Sequence, residues 1–187
     1  MSSPARLVAI QNRHPRLRAP VAQIRRAIAV LDAQFTLVPA DRPHLARPAR
    51  APIRSTRTKP PFPRAKLPGV CPPGELSLVF LTDPELAQIH ADFMDDPTAT
   101  DVITFEGDAA VGLAGEICVS ADTAATYARA QRRDFATELT LYVVHGWLHL
   151  AGYDDLRPER KRRMRAAEKR ALTLLHTAQA VPPFAWR

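Results

Sequence analysis

The chain has 187 residues, 46% of them hydrophobic, which is enough to bury one sizeable core, and no run of it approaches the roughly 18 consecutive apolar residues that a membrane span requires. Its net charge of +7 is local: the stretch 39–73, with eight Lys or Arg and one acid, Asp41, carries all of it, and the remaining chain is neutral. Cys71 and Cys118 form no C-x-x-C pair, which excludes a disulfide framework and a cysteine zinc knuckle, so any metal must be held by imidazole and carboxylate.

The N-terminal MSSPARLVAIQNRHPRLR scatters arginines through a stretch with no continuous apolar core. It does not read as a secretory signal, and the expected location is the cytoplasm. Arg6 to Asn12 is predicted as a first strand, and Val21 to Gln34 as a helix with Ile24, Ile28 and Leu31 on one face. The basic stretch 39–73 holds ten of the 18 prolines and has neither a helical nor a strand period, so an extended, solvated insertion is expected there. Its cations suit phosphate neutralisation on nucleic acid, and equally a linker kept soluble by charge.

Beyond it, Glu75 to Leu81 (ELSLVFL) is apolar enough for a buried strand. Thr82 or Asp83, followed by Pro84 and Glu85, opens a helix with Leu86, Ile89 and Phe93 at helical spacing. Asp101 to Phe105 and Glu116 to Ser120 are short strands separated by a glycine-bearing turn at Gly107 and Gly112. Three helices close the chain, at about 121–133, 136–150 and 158–178. The last, PERKRRMRAAEKRALTLL, alternates charges with Met164, Ala167, Ala171, Leu172 and Leu175, and is better read as an amphipathic helix packed on the core than as an RNA-binding one. Strands and helices mix without a regular repeat, so the class is α+β, a single domain over 1–187 interrupted by the insertion.

Leu139 to Leu150 (LTLYVVHGWLHL) is apolar on nearly every side and predicts a helix buried in the middle of the fold. His145 and His149 then lie one turn apart on one face, where two imidazoles can converge on one ion. Gly152 lets the chain leave the helix and return Asp155 as a third ligand. Three protein ligands with a fourth position open are the arrangement of a catalytic zinc site, acting through the water it activates. Trp147 is expected in the core, with Tyr153 and Asp154 supporting the ligands or packing. Where zinc proteases carry a glutamate after the first histidine this chain has Gly146, which cannot accept a proton, so peptide hydrolysis by that mechanism is disfavoured.

The run HGWLHLAGYDD is similar to the HGxLHLxGYDH signature of the YbeY family, the metal-dependent endoribonucleases of ribosomal RNA maturation. TATDVITF, Thr98 to Phe105, resembles the family's PTDVLSF segment, and LAGEICVS, Leu113 to Ser120, resembles its LGDIVIS strand. The resemblance implies a zincin-like α+β fold with a small mixed sheet, one zinc ion, and cleavage of single-stranded RNA at the 3′ end of small-subunit ribosomal RNA, with a part in ribosome quality control. Ribosomal proteins or an assembly GTPase would be its partners, with no membrane involved.

Matched by position, His145 and His149 are the first two metal histidines, and the third falls at Asp155, whose negative charge would weaken the Lewis acidity of the ion. The family's N-x-x-Y-R falls on His90 to Met94 (HADFM), which puts methionine where the family has an arginine implicated in activity. Asp101, Arg129 and Arg132 are the candidate substrate-binding residues, with Arg133 or the arginines of the insertion as further substitutes. The two departures motivate an alternative, a ribosome-assembly factor with a structural zinc and little cleavage, and a metal-dependent hydrolase of another substrate is a third reading.

Overall fold

The computed structural model describes residues 6–37, 71–94, 98 and 100–187, so most of the basic insertion, residues 39–70 of 39–73, lies outside the described residues. Among the described residues the strands and α-helices follow in chain order: β1 (Val8–Asn12), β2 (Leu17–Arg18), α1 (Val21–Gln34), β3 (Glu75–Leu81), α2 (Asp83–Met94), β4 (Val102–Glu106), β5 (Leu113–Ser120), α3 (Ala121–Gln131), α4 (Phe135–Leu150), α5 (Pro158–Thr177) and β6 (Ala185–Trp186). The fold is α+β, as expected from the pattern of elements.

Alternation along β3 explains its place in the sheet, because successive side chains face opposite sides. Leu76, Leu78 and Phe80 enter the larger core with Ile117 and Val119 of β5, while Val79 and Leu81 enter a smaller one with Leu86, Ile103 and Cys118. A strand buried on both faces belongs in the middle. The sheet order is β1-β3-β5-β4, with β1, β3 and β5 parallel and β4 antiparallel to β5. The two-residue ladder of β2 with β6 is too short to leave a period in the sequence.

The helices follow their predicted spans closely, and their ends have local causes. Thr82 and Glu85 form a capping box at the start of α2: the backbone N–H of Thr82 donates to the Glu85 carboxylate at 3.1 Å, and its hydroxyl donates at 3.0 Å. Helix α3 stops at Gln131, short of the expected 133, because Arg132 takes a left-handed φ of 53°. Asp134 then accepts from the Thr137 N–H at 2.7 Å and starts α4. Phe93, at helical spacing with Leu86 and Ile89, is 70% exposed and meets the Phe105 ring of β4, which has no further strand beside it among the described residues. Both cysteines are free and buried, and burial pushes each thiol up to about 12, so neither is a nucleophile at neutral pH. No helix among the described residues is long and apolar enough to cross a membrane.

Helix α4 is the hub. It lies against β4 and β5 and also against α3 and α5. Gly146 is what lets it close on the sheet: a Cβ there would stand 2.4 Å from Ile117 Cγ2 and 3.1 Å from Thr104 Oγ1. A glutamate at this position therefore has no room, which adds a steric reason to the chemical one against a protease mechanism. Gly146→Ala should cost about 1–3 kcal/mol of stability through overpacking, read from urea unfolding curves; an unchanged midpoint would mean that α4 can slide away from Ile117 freely.

Candidate metal centre

The end of α4 builds the site. Gly152 adopts φ +89°, its N–H donates to the His149 carbonyl at 2.9 Å, and the Tyr153 N–H donates to the Leu148 carbonyl at 3.0 Å. This is a Schellman turn, and it reverses the chain directly over the last helical turn. Two consequences follow. The Tyr153 carbonyl comes to 3.1 Å from His149 Nδ1, and Asp155 Oδ1 comes to 3.9 Å from His149 Nε2.

On the other side, α5 brings the Glu168 carboxylate to 2.6 Å from His145 Nδ1. Each ring thus has its Nδ1 facing an acceptor, which fixes the tautomer with Nδ1 protonated and leaves Nε2 as the free donor atom. Those two Nε2 atoms face each other at 2.9 Å, and the ligand atoms of His145, His149 and Asp155 all lie within 4.8 Å of one another. Two lone pairs at that distance need a cation between them, either a proton or a metal ion. A tetrahedral zinc ion would hold two nitrogens about 3.3 Å apart, a few tenths of an ångström from the spacing present. The donor set fits a zinc ion or another divalent metal that accepts nitrogen and oxygen ligands.

The titration of the pair agrees with this geometry. Burial is the largest single influence on His145 and favours its neutral ring, but the hydrogen bond and charge of Glu168, with the charges of Asp155 and Asp101, outweigh it and raise the pKa above the ordinary histidine value. Burial, reinforced by the charge of His145, lowers that of His149. The proton of the pair therefore belongs to His145, and a metal ion must displace it.

Beside the pair opens a cleft of about 760 Å³, with Asp101 and Tyr142 among its lining residues together with His145, Asp155 and Glu168. Asp101 also accepts from the Val102 N–H at 2.9 Å, so it occupies both the turn position and the cleft. Arg129 and Arg132 stand at the end of α3 and are not among the lining residues, whereas Arg133 is. The Arg133 guanidinium lies over the Tyr127 ring, 5.6 Å from its centroid, and donates at 3.4 Å to Glu138, a carboxylate only 3% exposed. Lys161 and Arg165 of α5 also line the cleft. Met94 ends α2, and its side chain lies outside the described residues.

Trp147 is in the core, as expected, with its indole N–H donating to Asp32 at 3.1 Å, and Asp154 pairs with Arg160. Glu168 does not stand out in the sequence, where it is one of the charges that alternate with apolar residues in the last helix. A signal was present: Glu168 lies four residues after Met164 and one after Ala167, at the margin of the apolar stripe, where an acid needs a partner.

Comparison with known proteins gives one family. The family model described as Endoribonuclease YbeY matches residues 62–176. The chain is 43% identical over 106 residues to the Endoribonuclease YbeY of Syntrophotalea carbinolica, covering 52% of this chain and 71% of that one. It is 36% identical over 102 residues to that of Porphyromonas gingivalis, covering 54% and 68%. The solution structure of TM1509 from Thermotoga maritima aligns at 24% identity with a TM-score of 0.40, covering 57% of this chain and 74% of that one, a likeness too partial to add to the topology above.

Glu168→Gln should lower zinc affinity about 10- to 100-fold without unfolding the chain, measured by competition with a chromophoric chelator. Because His145 is the protonated member, wild-type zinc affinity should rise with pH up to its raised pKa and level off above it, with about one proton released per ion below that point. Calorimetry in buffers of differing ionisation enthalpy reads that proton, and a pH-independent affinity would refute the assignment.

Proposed function

The chain belongs to the YbeY family of endoribonucleases, and on that footing we propose that it is a zinc-dependent, single-strand-specific endoribonuclease that matures the 3′ end of small-subunit ribosomal RNA and serves ribosome quality control in the cytoplasm. The observation that carries the zinc reading is the convergence of His145 and His149 through Nε2, with both Nδ1 atoms held by Glu168 and the Tyr153 carbonyl and with Asp155 alongside. In this reading the chain works as a single domain over 1–187, with 39–73 as an insertion, and its partners are the small ribosomal subunit and the proteins or GTPase that assemble it.

When bound, a zinc ion supplies Lewis acidity toward a phosphoryl oxygen and lowers the pKa of water at its open position. The chain's own residues do the rest. Glu168 and the Tyr153 carbonyl hold the two imidazoles in one tautomer and one orientation. Arg133, fixed between Tyr127 and Glu138, offers a guanidinium toward the cleft, where charge develops on the phosphoryl oxygens during cleavage. It takes the electrostatic role that the family arginine, aligned with Met94, cannot fill here. Tyr127 presents a partly exposed ring beside the same guanidinium, a surface on which an unpaired base can stack. Asp101 lines the same cleft and offers an acceptor for a ribose hydroxyl.

The alternative, an assembly factor with a structural zinc, draws on Asp155 and Met94. Metal content and RNA cleavage measured on the same samples separate the two. Wild type should carry about one zinc per chain, and Asp155→Ala should lose both metal and cleavage. A zinc-loaded wild type that cuts no RNA would move the assembly-factor reading ahead. Arg133→Gln should keep its zinc and cleave about 100-fold more slowly, on the scale of losing one charge-stabilising donor.

A further inference from the structure

Helix α5 has two faces with different demands. Met164, Ala167, Ala171 and Leu175 are buried, which accounts for the apolar half. Beside and opposite it stand Lys161, Arg162, Arg165 and Lys169, all exposed, and none of their side chains has a hydrogen-bond or ion-pair partner among the described residues. Of the other cations of the helix, Arg160 pairs with Asp154, and Arg170 lies over the Phe35 ring at 5.4 Å. Glu168, three residues from Arg165 and adjacent to Lys169, is turned to His145 and relieves neither.

Lys161, Arg165 and Lys169 follow one another at intervals of four residues, one above the next along the helix and about 6 Å apart in rise. Like charges at this spacing repel and weaken a helix. The folded protein keeps them in a row whose one intervening acid, Glu168, is turned to His145, and the row has a direction. Lys161 and Arg165 line the cleft beside His145 and Asp155, and Lys169 lies one turn farther along, outside it.

We propose that this face of α5 is a phosphate track: a single RNA strand whose scissile linkage lies in the cleft continues along α5, its phosphates meeting Lys161, Arg165 and Lys169, with Arg162 at the flank. The inference rests on the endoribonuclease reading and adds to it where the uncut part of the strand runs. A polyanion with regularly spaced charges answers a regular row of cations, and continuity with the cleft selects the strand being cut. No large apolar side chain of α5 is exposed, so the face lacks those with which a helix enters a lipid surface.

The test is the salt dependence of binding between the full chain and a single-stranded RNA of about 20 nucleotides, long enough to leave the cleft, followed by fluorescence anisotropy. Arg162→Gln with Lys169→Gln, neither of which lines the cleft, is compared with wild type and with Arg18→Gln plus Arg187→Gln, an equal charge change at two exposed residues outside α5. The plot of log affinity against log salt should become shallower by about 1.4 in the α5 variant, the change expected when two phosphates of a single strand are no longer neutralised. The control should keep the wild-type slope. The α5 variant should melt no lower than wild type, because removing repulsion cannot loosen the helix.

A wild-type slope in the α5 variant, or equal reductions in variant and control, overturns the track and leaves the endoribonuclease reading standing. Absence of RNA binding by wild type at any salt, with binding to phosphatidylserine vesicles instead, overturns both.

Discussion

The close approach of α4 to the sheet is the constraint on which the rest depends. At Gly146 the helix leaves no space for a Cβ above Ile117, so the hub helix is seated at a fixed height and rotation over β5 and β4. Helical geometry then places His145 and His149 on the face turned toward α5 and the reversing chain. Glu168 on α5 meets His145 on α4 at 2.6 Å, so the orientation of that ring depends on how the two helices are seated against each other. Packing density in the core sets the tolerance of the site, because a close-packed interior transmits small displacements instead of absorbing them.

Charge of both signs gathers around that helix. Glu168 meets one imidazole, Asp155 stands beside the other, and Asp101 lines the same cleft. These acids favour a cation between the histidines, most strongly where Glu168 is partly withdrawn from water. Arg133, Lys161 and Arg165 line the cleft as well. Their guanidinium and ammonium groups offset the carboxylates for an anionic substrate entering it. Arg133 is also the most constrained of these, lying over Tyr127 and paired with the buried Glu138.

Much of the fold was legible because its elements obey local periods. ELSLVFL has the apolar density of a central strand, and Ile24, Ile28 and Leu31 recur at helical spacing, so their elements were assigned with the observed bounds. The β2–β6 ladder and the exposure of Phe93 were not legible, since a two-residue pairing and a missing neighbour leave no mark on the chain that carries them. The three candidate ligands could be read because His145, His149 and Asp155 lie within eleven residues, and one helical turn plus one glycine reversal brings them together. Glu168, Arg133 and Lys161 could not be placed, because their position depends on how α5 and the start of α4 cross the rest of the fold. The sequence by itself determined which atoms can hold a metal, a matter of spacing along one helix and its cap. Only the tertiary structure decided how those atoms are oriented and which charges face them, because that depends on contacts between segments far apart in the chain.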